Sequence, residues 1–288
     1  MIPVLFRLGP LTVYSYGLMM ALGFLAADVV IDSECRRQKI NPDYASSLVV
    51  CAAVAGLVGS RLYSVIDNFQ AYAHDPWSII LSGSGFVWFG GLAGGIISSY
   101  LVSRYYKVGF LRTADMAAPA LAIGHALGRI GCQLSGDGDW GMPSTLPWAM
   151  AYPKAIVGWN SSTVLKLDEH NQLVSGFFPG VRVHPTPIYE ALLYFGVFAF
   201  LWSRRKTNAV EGRLFFLYLV MAGACRFMVE FLRVNPRVLM GLSEAQWIAL
   251  LMIAIGTLGL ILAPGASAAR REEYKAQQTQ KDGEAARA

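Results

Sequence analysis

The chain has 288 residues, 55% of them hydrophobic and only 15% charged, with a mean hydropathy of +0.43. A soluble domain carries about 25% charged residues. This composition, with several apolar runs of about 20 residues, therefore excludes an ordinary soluble enzyme and indicates a polytopic membrane protein. The net charge of +5 and pI near 9.0 fit cytoplasmic loops rich in Lys and Arg better than a nucleic-acid partner.

Seven apolar runs predict seven spans, at about 12–31, 45–66, 86–103, 113–134, 187–203, 212–232 and 242–262. The expected fold is an all-α integral membrane protein of about seven transmembrane helices with a small external subdomain. The first run has no charged start and no obvious small-residue cleavage site, so it reads as a retained span. The fifth is short, and His184–Pro185–Thr186–Pro187 blurs its start. Residues 1–264 form the predicted membrane domain and 265–288 a cytoplasmic tail, rich in Ala, Gln, Lys and Glu, of frayed-helix or disordered type.

Lys and Arg set the orientation. Loops 32–44, 104–112 and 204–213 and the tail together hold fifteen of them, and the opposite side holds six. The bias puts the N-terminus outside and the C-terminus in the cytoplasm. The 135–186 connection is then external. At some 50 residues it is long enough to be a small folded subdomain, with Trp148, Tyr152, Trp159, Phe177 and Phe178 to pack against the membrane surface.

Three arginines, Arg61, Arg129 and Arg226, fall inside the predicted spans. A charge at membrane depth is expensive and usually marks a site, although an interfacial arginine can also lay its stem in lipid and its head in water. His125 to Gly141 reads HALGRIGCQLSGDGDWG. A continuous helix puts His125 and Arg129 on one face, and a loop rich in Gly and Asp follows. Arg129 has no acidic residue in its own span after Asp115. Its fork of donors is therefore expected to seek an anion, and phosphate suits it. Arg226 and Glu230 stand four residues apart in RFMVEFLR. They are either a functional pair or an internal salt bridge that orients two helices.

Other candidates carry two readings each. Tyr16 in YSYGLMMALGF is an interface anchor or a site residue. Gly90 and Gly91, in FGGLAGG with Gly94 and Gly95, allow close helix approach or admit a lipid headgroup. Asp137 and Asp139, set among glycines, are turn formers or catalytic carboxylates. In HPTPIYE, His184 is a capping or loop residue, whereas Glu190 enters the membrane zone and needs a partner. Arg61 is the expected partner, unless it binds a headgroup itself. The cysteines at 35, 51, 132 and 225 show no metal-ligand spacing, so neither disulfide nor zinc site is expected. No metal and no cofactor is assigned.

In the order and spacing of YGLMMALGF, GGLAGG, GRIGCQLSGDGDWG, HPTPIYE, RFMVEFLR and LSEAQW, most of the chain resembles the prolipoprotein diacylglyceryl transferase family. The resemblance implies a seven-span bacterial inner-membrane enzyme with its N-terminus outside. Its substrates would be phosphatidylglycerol and the lipobox cysteine of a preprolipoprotein signal peptide, with no nucleic acid. The diacylglyceryl group passes to the cysteine thiol as a thioether and glycerol 1-phosphate leaves. By the same resemblance, Arg129 matches the signature arginine and Gly141 its closing glycine. Arg226 and Glu230 match the pair of the sixth span, and Tyr16 the tyrosine of the first. With Arg61, Gly90, Gly91 and Asp137 as substrate contacts and His125 beside Arg129, these are the expected site residues.

The chain departs from the family pattern at several positions. Cys132 and Ser135 stand where the signature has Asn, Gln133 where it has Phe and Asp137 where it has Glu; the signature is also one residue longer before Trp140. Phe89 replaces a histidine often found before the paired glycines. His125 or the arginine field is expected to do that histidine's work. The rival reading is a non-enzymatic binder or flippase of an anionic lipid on the same scaffold. A small-solute transporter fits less well, because no half-repeats with broken helices are present.

Overall fold

The computed structural model describes residues 1–9, 11–69, 87–157, 165–167, 173–175, 182–207 and 210–262. Within these, seven helices follow one another: α1 Ser15–Gln38, α2 Asp43–Asp67, α3 Trp88–Tyr105, α4 Phe110–Ser135, α5 Thr186–Arg204, α6 Arg213–Glu230 and α7 Glu244–Leu262. Each falls on one of the seven apolar runs. Three of them, α2, α5 and α7, are long and apolar enough to cross a membrane. The outward stripes are apolar, with Val50, Val54, Leu57, Val58 and Leu62 exposed on α2 and Leu251, Ile255 and Leu258 on α7. Exposed apolar surface on this scale suits lipid contact.

The fold is mostly helical rather than wholly so. Three antiparallel hairpins accompany the helices: β1 Val4–Leu8 with β2 Leu11–Tyr14, β3 Leu165–Leu167 with β4 Leu173–Ser175, and β5 Arg237–Leu239 with β6 Leu242–Ser243. Strands of two to five residues leave almost no periodic signal in a sequence. Two boundaries also differ from expectation. α1 continues through Arg36 and Arg37, residues expected in a loop, because Asp32–Arg36 and Glu34–Arg37 pairs one turn apart support it. It stops at Lys39, whose φ is +56°. α5 begins inside the HPTP stretch, because Pro187 sits in the first turn, where a missing N–H costs nothing.

The chain divides into two compact units. One, Ala27–Ala117, holds α2, α3, the end of α1 and the start of α4. Here α2 and α3 touch backbone to backbone. A Cβ on Gly90 would strike the carbonyl of Gly59, and one on Gly94 the carbonyl of Ala55. This contact accounts for the small residues of FGGLAGG. At the other end of these helices Thr113 Oγ1 donates to the Gly109 carbonyl, so the Tyr44 hydroxyl, 2.6 Å away, donates to Thr113. Ser47 and the Tyr106 hydroxyl meet at 2.9 Å.

The second unit, Met1–Ala26 with the chain from Ala118 onward, holds the start of α1, most of α4, and α5 to α7. Ala118, Ala122 and Ala126 form a small-residue face on α4. They pack with Tyr194, Val197 and Leu201 of α5 and Leu214, Tyr218, Ala222 and Cys225 of α6. Methyl side chains four residues apart let the three helices approach closely, which brings their polar residues within reach of one another. Within the 135–186 connection, Trp140, Tyr152 and Val183 cluster with Met1 and Ala155, and the Tyr152 hydroxyl donates to Gln133 Oε1 of α4 at 2.9 Å. Trp159, Phe177, Phe178 and the 265–288 tail lie outside the described residues.

The glycine contact sets a controlled test. Gly94→Ala drives a Cβ into the α2 backbone, whereas nothing lies within 4 Å of a Cβ on Gly95. Overpacking costs about 1–3 kcal/mol, so Gly94→Ala should lower the thermal midpoint in detergent. Gly95→Ala should leave it unchanged or raise it, since alanine is the better helix former.

Candidate functional site

Four segments of the second unit converge on one group of charges. α4 supplies His125 and Arg129, and the loop after it supplies Asp137 and Asp139. α5 supplies Glu190. α6 supplies Arg226 and Glu230, with Arg233 just beyond its end. Glu190 lies at the centre and is fully buried. Its Oε1 accepts from Arg226 Nη1 at 2.7 Å and from Arg233 Nη1 at 3.5 Å. Its Oε2 is in contact with Arg129 Nε.

The links close on themselves. Arg226 Nη2 reaches Glu230 Oε2 at 2.9 Å, and Arg233 Nε lies 3.8 Å from the same oxygen. Arg233 Nη2 binds Asp139 Oδ1, and Arg129 Nη1 binds Asp139 Oδ2. Arginine and carboxylate therefore alternate around a ring: Arg129, Glu190, Arg226, Glu230, Arg233, Asp139 and back to Arg129. Three positive charges face three negative ones, which is how buried ions avoid the cost of isolation.

Placement in the ring revises several expectations. Arg129 is not awaiting its first anion: Glu190 and Asp139 already flank it. Glu190 takes ion-pair partners from α4, α6 and the segment after α6. Asp139 does more than form a turn. Arg233, just past the end of α6, is also a ring member; it stands seven residues after Arg226 and three after Glu230.

The remaining candidates are placed as follows. α4 is continuous, so His125 does share a face with Arg129. Its Nε2 accepts from Arg129 Nε at 3.3 Å and lies 3.9 Å from Glu190 Oε2, and its ring stacks on Tyr194 at 3.8 Å. Tyr16, at the start of α1, rests on Gly131, where a Cβ would come within 3.3 Å of the phenol ring. Gly90 and Gly91 belong to the α2–α3 contact described above.

Gly141 is a glycine for steric reasons, because a Cβ there would meet the Leu232 carbonyl, Thr186 and His184. Its N–H donates to the His184 carbonyl at 2.8 Å, and the next N–H, of Met142, donates to Leu232 O at 2.8 Å. Thr186 Oγ1 holds the Asp139 carbonyl at 2.6 Å. These bonds press the loop against the end of α6 and carry Asp139 to Arg233.

The two loop aspartates are displaced in opposite senses. Burial, then the Asp139 charge, pushes the Asp137 carboxyl above its ordinary value. Burial acts on Asp139 too, but the Arg233 and Arg129 guanidiniums outweigh it and hold Asp139 below its ordinary value. Cys132, Asp137 and Asp139 offer a sulfur and two carboxylates within 4.8 Å of one another. Both Asp139 oxygens are engaged by arginines, Cys132 Sγ accepts from Arg129 Nη1 at 3.8 Å, and Asp137 Oδ1 accepts from the Asp139 N–H at 3.4 Å, so all three groups already have partners within the protein.

A mostly helical chain with apolar outward faces and a neutralised arginine ring between its helices is a membrane protein with a polar centre. Residues 3–262 match the profile of the prolipoprotein diacylglyceryl transferase family. The chain is similar to the phosphatidylglycerol–prolipoprotein diacylglyceryl transferase of Clostridium tetani, at 34% identity over 88% of this chain and 94% of that protein. It is similar to the proteins of the same name from Dehalococcoides mccartyi, at 33% over 88% and 90%, and Methylococcus capsulatus, at 33% over 93% and 96%. The chain belongs to the prolipoprotein diacylglyceryl transferase family.

Asp139 makes the ring sensitive to acid. Its native pKa is depressed, so its contribution to stability is complete above the unfolded carboxylate value near about 4. That contribution is lost as pH falls through the lower native value. The thermal midpoint of the parent should exceed that of Asp139→Asn by a constant margin from pH 8 down to about 5. The margin should shrink below about pH 4. A margin that does not change with pH would show that Asp139 is not ionised in the ring.

Proposed function

We propose that this protein moves the diacylglyceryl group of phosphatidylglycerol onto the lipobox cysteine thiol of a preprolipoprotein and releases glycerol 1-phosphate. Family membership and the names of the relatives support the reading. The observation that carries it is the convergence of Arg129 and Arg226 on Glu190 while both stay partly accessible. Their side chains are 16% and 20% exposed, against 5% for Arg233. Each guanidinium has five N–H donors, and the ring bonds engage only some of them. The others can take a phosphate oxygen.

In this reaction the thiolate sulfur attacks the glycerol carbon that bears the phosphate. The C–O bond breaks, a thioether forms, and the phosphodiester becomes a monoester with one more negative charge. Arg129 and Arg226 hold the donor phosphate and stabilise the charge that grows on it. Glu230 orients Arg226. The same positive field favours the thiolate. The His125 nitrogen that faces the ring already accepts from Arg129, so His125 serves to orient Arg129, and the arginine field does the work of activating the thiol. Tyr16, Asp137 and Gly141, which lie in the same compact unit as the ring, are assigned to the support of the substrate site.

The proposed setting is the bacterial inner membrane. The seven helices act as seven spans, residues 1–264 form the transferase domain, and 135–186 is an external subdomain. The N-terminus lies outside, and 265–288 is a cytoplasmic tail. The match of helices to apolar runs and the loop excess of Lys and Arg support this.

Purified protein in phosphatidylglycerol vesicles with a lipobox peptide should release glycerol phosphate and add the diacylglyceryl mass to the peptide. Lipid binding without release would instead favour the non-enzymatic binder. In the same assay Arg226→Lys keeps the charge but loses the planar fork. It should cost about 2–3 kcal/mol of transition-state stabilisation, roughly a hundredfold in rate. Activity within twofold of the parent would make Arg226 purely structural. His125→Gln should slow the reaction while leaving the acid limb of the pH–rate profile in place. Loss of that limb would identify His125 as the proton acceptor.

A further inference from the structure

Glu230 is fixed from a direction that the reaction scheme does not use. Its Oε2 faces the arginines, whereas its Oε1 accepts from Ser243 Oγ at 2.7 Å and from Asn235 Nδ2 at 2.6 Å. Ser243 immediately precedes α7, and the segment Ser243–Glu244–Ala245–Gln246 has the spacing of a capping box. Both reciprocal bonds are present. Gln246 N donates to Ser243 Oγ at 3.3 Å, and Ser243 N donates to Gln246 Oε1 at 3.1 Å. Arg237 Nη1 donates to the same Oε1 at 2.7 Å. Two donors on one oxygen fix which way the amide points. Ser243 and Gln246 are both buried.

The Ser243 hydroxyl therefore has two tasks. It accepts from the first turn of α7, and its single proton goes to Glu230, because a carboxylate can only accept. We propose that Ser243 and Asn235 are positioning residues for the transfer reaction: through Glu230 they set the orientation of Arg226 toward the donor phosphate. This inference rests on the proposed transferase reading. The physical basis is that a carboxylate held by two donors on one oxygen presents the other in one orientation. The Arg226 fork reads that orientation through Nη2 while Nη1 reads Glu190. Removing a donor lets Glu230 rotate, and the guanidinium follows it.

A helix cap and a positioning donor can be separated experimentally. Glycine is nearly as good an N-cap as serine, so Ser243→Gly keeps the start of α7 and deletes the donor to Glu230. Asn235→Ala removes the other donor, from a half-buried position outside any helix. Each variant should lower kcat about tenfold, with KM for the lipobox peptide within twofold of the parent and the thermal midpoint in detergent within a few degrees. In a Glu230→Gln background, neither substitution should cost anything further. Activity within twofold of the parent for both variants, or an equal additional loss in the Glu230→Gln background, would overturn the inference, since a merely structural role adds independently. Should Ser243→Gly not fold, Asn235→Ala decides alone by the same criteria. Should the parent bind short-chain phosphatidylglycerol micelles without turnover, the transferase reading fails. The positioning inference is then judged on affinity, where a severalfold loss absent from the Glu230→Gln background supports it and no loss overturns it.

Discussion

Neutralising charge away from water governs this structure. Moving an isolated carboxylate or guanidinium into a low-dielectric interior costs several kcal/mol even after relaxation. Here six such groups share one place, and two of them, Glu190 and Glu230, are wholly buried. Strict alternation makes this tolerable: every carboxylate in the ring lies between two arginines, and every arginine between two carboxylates. The same alternation makes the ring fragile. Removing one partner from a buried pair typically costs 3–5 kcal/mol, because the other charge stays behind.

Much of the surrounding packing follows from that requirement. The ring needs residues from three helices, the loop after α4 and the segment after α6, and it closes only if those segments approach closely. The alanine face of α4 lets α5 and α6 approach, and Gly141 lets the 136–141 loop lie on the end of α6. Thr186, the first residue of α5, holds the loop backbone at Asp139. Small residues and a glycine thus decide where the charges fall, although none of them is charged.

The helices were legible in the sequence because each is a long apolar run, and the intrahelical pair of Arg226 and Glu230 was legible because its spacing is four. The rest of the ring was not. Periodicity reports neighbours within a few residues, whereas Arg226 and Glu190 are 36 positions apart and Arg233 and Asp139 are 94 apart. Arg233 lies just past an apolar run, where charges are common, so its place in the ring has no local signature. Glu190 was recognised as needing a partner, but nothing local could choose among the arginines. The double role of Ser243 was hidden in a segment that reads simply as the start of a helix.

A neutral ring also suits a reaction in which negative charge grows. A cluster of bare arginines would bind a phosphodiester tightly and hold the resulting monoester tighter still, and binding shared by ground and transition states does not raise the rate of the chemical step. With Asp139 and Glu190 already on Arg129, and Glu190 and Glu230 on Arg226, each guanidinium offers a phosphate only its remaining donors. The attraction to the singly charged donor is then modest. It strengthens as the C–O bond breaks and charge accumulates on the leaving oxygen. Asp139 stands next to Arg129 and is more accessible than the two buried glutamates, so its repulsion weakens retention of the doubly charged product. The carboxylates that make the arginines affordable inside the protein thus also keep them from becoming a trap for glycerol phosphate.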